Sequence, residues 1–168
     1  MRTIKAIFLA MLLLASQASM AATNDELTGG DEQDMEFRGA VAEGDLPVVK
    51  KYIESGVMKV NDPYLGWTPV LAAAAKGQLP MLKYLVDKGG DITYRHPITK
   101  LNSLMYAVLE NNLVMAEYLL QKGADPTVKL KGDVSMVRAA RDEGYTQMME
   151  LLLKNGAKDD GCLEAKCF

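Results

Sequence analysis

The 168-residue chain has one histidine, one tryptophan and two cysteines. A single imidazole cannot build a multi-histidine metal site, nor serve a mechanism that needs two. Two cysteines are too few for a disulfide-built scaffold. Cationic charge is not in excess: the net charge is −3. That argues against nucleic-acid binding, in which clustered bases must displace counterions from phosphates. Apolar residues are not scarce, at 49% against 24% charged. The balance argues against intrinsic disorder and suffices for the core of one domain or two small ones.

No long apolar run is present. The longest, AIFLAMLLLA (6–15), would rise only about 15 Å as a helix, half of a bilayer core of about 30 Å. With Arg2 and Lys5 before it and Ser19-Met20-Ala21 after it, residues 1–22 read as a secretory signal peptide cleaved after Ala21 or Ala22. The expected mature protein is periplasmic, without membrane insertion, and more acidic, because two bases and no acid leave. No cysteine follows the run, which excludes a lipid-anchored version of the signal. Residues 23–33 form an acidic leader with Asp25, Glu26, Asp31 and Glu32. It has too little apolar surface to offset ordering entropy and is expected to be flexible. The ligand spacing of an EF-hand calcium loop is absent from it.

The rest of the chain repeats itself. EGDLPVVKKYIESG (43–56), KGQLPMLKYLVDKG (76–89), ENNLVMAEYLLQKG (110–123) and DEGYTQMMELLLKNG (142–156) align, the last with one extra residue. Their closing glycines, Gly56, Gly89, Gly123 and Gly156, are spaced 33, 34 and 33 residues apart. Such a period signals a repeat architecture. Each unit reads as two helices. Thr68 before Pro69, then Asn102 and Ser135, are cap-type residues at the start of the first helix. Asp34 lies one residue before the corresponding place in the first unit. Gly44, Gly77, Asn111 and Gly144 are of the types that tolerate a left-handed C-cap and should end that helix. Apolar residues at helical spacing follow, such as Leu82, Leu85 and Val86. A lone helix pair cannot bury its apolar face, whereas stacked pairs can, so the expected fold is an all-α solenoid of about four helix-turn-helix units with hairpin-like connections.

The second unit, with Thr68-Pro69, Ala73-Ala74, Gly77, Leu85-Val86 and Gly89-x-Asp91, resembles an ankyrin repeat. Ala107, Leu119-Leu120 and Gly123-Ala124-Asp125 carry the resemblance into the third. Ala139-Ala140, Gly144, Leu152-Leu153 and Gly156-Ala157 carry it into the fourth. It covers residues 34–158. The family's histidine is replaced by Leu71, Met105 and Arg138, and loss of that polar network implies a looser solenoid held more by packing. The first and last units are expected to act as caps.

No catalytic constellation is visible and no cofactor or metal is expected. His96 lies in a loop before Pro97 without a serine or cysteine at suggestive spacing, and reads as solvated. Asp159-Asp160 reads as a solvated helix exit. Methionines such as Met105, Met115, Met148 and Met149 read as core filler. Cys162 and Cys167 in the tail (159–168) are expected to form a disulfide in an oxidising compartment. That ring would contribute roughly 2 kcal/mol and secure the tail. The resemblance implies docking on the hairpin tips and the exposed side of the short first helices. Carried onto this sequence, that surface comprises Tyr64, Leu65, Trp67, Lys76, Ile98, Leu101, Glu110, Lys131, Val134 and Glu143. Arg95 and Lys129 would add steering toward an acidic partner. Trp67 reads equally as an interface anchor and as packing within the solenoid. The implied function is that of a non-catalytic module, monomeric when free, binding another protein, such as an immunity protein or inhibitor of a periplasm-acting toxin. The alternative is an accessory protein supporting an oxidative-stress enzyme such as catalase. An enzyme is the least favoured reading.

Overall fold

The structure is a computed structural model that describes residues 32–160. The described residues divide into two units between Arg38 and Gly39. Helix α1 covers residues 32–43. Helicity is already present at 32 and 33, within the expected leader, and Asp34 is not a cap. It lies inside the helix, where its carboxylate accepts from Arg38 Nε at 2.6 Å and Nη2 at 2.5 Å, one turn on.

The second unit contains three complete helix pairs and the helix that precedes them. An outer helix α2 (Leu46–Glu54) is followed by inner α3 (Pro69–Ala75) and outer α4 (Leu79–Asp87). Inner α5 (Ser103–Leu109) pairs with outer α6 (Leu113–Gln121), and inner α7 (Met136–Asp142) with outer α8 (Thr146–Lys154). Inner helices α3, α5 and α7 each pack on their own outer helix, and α5 packs on both α3 and α7. The stack is therefore a solenoid built from helices alone. The only strand pairing among the described residues is a single bridge between Tyr64 and Trp67.

Local chemistry sets where these helices start and stop. The side chains of Thr68, Asn102 and Ser135 accept from the backbone N–H of Leu71, Met105 and Arg138, satisfying otherwise orphaned donors of α3, α5 and α7. The loss of the family histidine thus leaves the capping intact in every inner helix that follows a hairpin. Gly44, Gly77, Asn111 and Gly144 have φ of 82°, 68°, 50° and 74°, so each inner helix ends in the left-handed turn anticipated from its residue type. Gly90 is required for a different reason. A Cβ there would lie 2.3 Å from Val70 Cγ2 and 2.8 Å from the Leu85 carbonyl oxygen.

The core runs as a line between inner and outer layers. Leu71, Leu82, Leu85, Leu104, Leu119 and Leu152 are fully enclosed, as are Met105, Met115 and Met148. The flexible thioether fills the irregular space between stacked helices, as expected for these three methionines. Met149 is half-buried. The expected Cys162–Cys167 disulfide and the expected signal peptide fall outside the described residues.

Candidate protein-binding surface

Three connections project from the stack beside the inner helices. In the first, Tyr64 and Trp67 exchange two backbone hydrogen bonds at 2.9 and 2.8 Å across Leu65-Gly66. Both central residues have positive φ, 48° and 82°. This is the primed turn whose twist matches a two-residue hairpin. In the second, the His96 N–H donates to the Leu101 carbonyl and the Lys100 N–H to the His96 carbonyl. In the third, the Leu130 N–H donates to the Val134 carbonyl around Gly132 and Asp133.

The tips are coupled. A Cβ on Gly66 would lie 2.7 Å from Pro97, so the first and second tips are in direct contact at a place only glycine fits. Arg95 donates to the Lys100 carbonyl at 2.6 Å and to the Lys129 carbonyl at 3.1 Å, joining the second connection to the third. Lys129 is itself held by Asp133 at 2.6 Å. Both bases expected to steer a partner are therefore engaged within the chain.

His96 is a correction to the sequence reading, because it is buried rather than solvated. Its Nδ1 accepts from the backbone N–H of Ile98 at 3.2 Å and Thr99 at 3.3 Å. An accepting Nδ1 places the proton of the neutral ring on Nε2. The ring lies 4.8 Å from the Trp67 indole, centroid to centroid. His96 is thus the internal post of the second hairpin. Its partners are the backbone of its own loop and a ring 29 residues away, so no sequence spacing points to it. Asp159 and Asp160 are exposed, as expected of a solvated helix exit, and each also has a partner within the chain. Asp159 pairs with Arg141, and Asp160 accepts from the Ser135 N–H at 3.1 Å, tying the helix exit to α7.

The remaining candidates fall into two groups. At the tips, Leu65 is 78% exposed, Ile98 81% and Tyr64 48%, while Lys131 makes the third tip polar. Leu65 and Ile98 adjoin the Gly66–Pro97 contact. Along the inner-helix edge, Lys76, Glu110 and Glu143 occupy the C-cap positions of α3, α5 and α7. All three are exposed and none has an ion-pair partner among the described residues. Leu101 and Val134 are half-buried at the bases of their hairpins. Trp67 joins the groups: half-buried, it meets His96 and, at 5.8 Å, Tyr106, and also lines a groove with Ala42, Ala72, Ala75 and Lys76. Both roles considered for the indole therefore have a structural basis. The three groove alanines are surface the sequence reading missed. Their signal was the small residues at 72 and 75 where the third repeat has Tyr106 and Leu109.

No group of acids, histidines or cysteines suited to hold a metal ion occurs among the described residues. Residues 37–130 match the family described as "Ankyrin repeats (3 copies)". The chain belongs to the ankyrin-repeat family. Its fourth repeat lies beyond that match and keeps the same helix pair, α7 and α8. Among similar proteins, the mouse "Ankyrin repeat, SAM and basic leucine zipper domain-containing protein 1" is 29% identical over 64 residues, 38% of this chain and 14% of the relative. "Ankyrin repeat-containing protein P1E11.10" of Schizosaccharomyces pombe is 39% identical over 56 residues, 33% of this chain and 27% of the relative. The alignments thus span a minor part of both proteins. Among solved structures, a chain from "Bd0816 Predatory Endopeptidase from Bdellovibrio bacteriovorus in complex with immunity protein Bd3460" superposes with a TM-score of 0.64 at 23% identity. The match covers 72% of this chain and 63% of that one. The ankyrin fold implies a surface for binding protein.

Proposed function

We propose that this ankyrin protein is a non-catalytic binding module of the periplasm. It covers a partner protein with its hairpin tips and inner-helix edge, in the manner of an immunity protein or inhibitor. The observation that carries the reading is Leu65. A leucine at φ 48° is in a backbone region that costs an L-residue roughly 1–2 kcal/mol, and its side chain is 78% exposed. That choice leaves a large apolar side chain in water at a left-handed position, and Ile98 repeats the exposure on the touching tip. Locally unfavourable residues that persist on a rigid frame are expected where function selects them. The similar fold in a structure titled as an endopeptidase with an immunity protein supports the inhibitor form. The charged start and short apolar run of residues 6–15 support export.

Affinity capture from periplasmic extract of the native host tests this reading, with wild-type protein and the Leu65→Asp/Ile98→Asp variant on parallel columns. The expected result is a protein retained by wild type only, whose own enzymatic activity falls when the purified pair is mixed. Equal retention by both columns would overturn the assignment of the tips.

A further inference from the structure

The groove beside Trp67 allows the partner's contacting segment to be described, and this deepening rests on the binding reading above. The cavity, about 430 Å³, is lined by the small side chains of Ala42, Ala72 and Ala75, by the Trp67 indole and by Lys76. The indole already meets His96 and Tyr106, so this part of the lining is held in place before a partner arrives. In the third repeat Tyr106 and Leu109 occupy the positions of Ala72 and Ala75. The small-residue pocket therefore lies where the first repeat meets the second, and it has no counterpart one repeat on.

A row of exposed charges accompanies it. Glu43, Lys76, Glu110 and Glu143 each precede the left-handed residue that ends an inner helix. The negative end of a helix favours cations and disfavours carboxylates, so Lys76 suits its place while the three glutamates do not. None of the four has an ion-pair partner among the described residues. The row is an unneutralised pattern, minus, plus, minus, minus, with the apolar pocket beside the plus. Stacked helices lie about 8–10 Å apart and an extended chain advances about 3.3 Å per residue, so about three partner residues pass each repeat.

We propose that this edge receives an extended segment of the partner carrying a bulky apolar residue next to an acidic one. The apolar side chain fills the pocket by Trp67 and the carboxylate meets Lys76. A basic residue precedes the pair, opposite Glu43, and two follow, opposite Glu110 and Glu143. Electrostatic complementarity then fixes the direction and register of the segment, while the pocket supplies the apolar anchor.

The test uses the chain's single tryptophan as reporter and two acetylated peptides as probes, KALDAAKAAK and its charge-inverted form EALKAAEAAE. The expected result at low salt is a saturable change in Trp67 fluorescence with the first peptide, at least about tenfold tighter than with the second. In the Lys76→Glu variant, whose helicity is checked by circular dichroism, that preference should shrink by about tenfold. Equal titration by both peptides, or none by either, would overturn the inference. Capture of a partner through Leu65 and Ile98 would survive that result, so failure of the segment chemistry is distinguishable from failure of the binding reading.

Discussion

The outer helices and the inner edge of this solenoid treat charge in opposite ways. On the outer side Glu54 reaches Lys88 of the next repeat at 3.6 Å, and Asp87 reaches Lys122 of the next at 3.3 Å. Lys50 lies over the Tyr84 ring and Lys83 over the Tyr118 ring, again one repeat on. Tyr84 donates its hydroxyl proton to Glu54 at 3.3 Å. Its pKa is raised, chiefly by burial and then by the Glu54 charge and that hydrogen bond. These contacts tie each outer helix to its neighbour and fix their register. On the inner edge Lys76, Glu110 and Glu143 have no ion-pair partner among the described residues, although Arg138 pairs with Asp142 within α7. Carboxylates sit at the unfavourable end of three helices, and at the adjoining tips Leu65 and Ile98 project into solvent. The outer helices, though they expose Val114 and Leu153, are tied by charge from repeat to repeat, whereas the inner edge is the side the proposed reading gives to a partner.

The largest expected effect falls where the tips meet. Gly66→Ala places a Cβ 2.7 Å from Pro97 at φ 82°. It should destabilise the chain by about 2 kcal/mol or more in thermal or urea unfolding. A change near zero would mean that the tips are not held together as described. Next, Leu65→Asn relieves the left-handed strain and removes an exposed apolar group. We expect stability to rise by about 0.5–1 kcal/mol while partner capture falls. Loss of stability would remove the argument for function at that tip.

A smaller effect is expected on the outer face. A double-mutant cycle on Asp87 and Lys122 should give a weak coupling that salt erases, since the pair is solvent-exposed. Partner capture should be unchanged, and weakened capture would break the contrast between faces. The smallest effect lies on the connection after α6. Asp125 accepts from the Thr127 hydroxyl at 2.7 Å and its N–H at 2.8 Å. These bonds, the hydroxyl first, hold its pKa below the ordinary value. A carboxyl whose folded pKa is lowered contributes stability above its unfolded pKa and loses it as pH falls through the folded one. Thr127→Val should therefore raise the Asp125 pKa toward its ordinary value in an NMR titration and flatten that acid dependence.

Much of the fold could be read from the sequence because each repeat states its geometry locally. Thr68, Asn102 and Ser135 cap helices as their side-chain chemistry requires, and Asn111 takes the same left-handed turn as Gly44, Gly77 and Gly144. A cap or a turn needs only its own few neighbours, so residue type suffices. His96 resisted the same reasoning because its environment is tertiary, set by a hairpin that folds around the ring and by Trp67 from the preceding connection. The partners of Asp159 and Asp160 escaped for the same reason, since Arg141 and the Ser135 N–H approach these exposed acids from α7. The surface was partly legible. Leu65 and Ile98 stand out at the tips as expected. The pocket by Trp67 arises from alanines contributed by different repeats, a coincidence in space that no linear spacing announces.

Site-specific photo-crosslinking tests the central claim most directly. A photoreactive residue is placed in separate variants at Ile98 on the second tip and at Glu117 on outer helix α6, and each is irradiated with the captured partner. Position 98 should give an adduct and position 117 none. An adduct from 117 with none from 98 would contradict it.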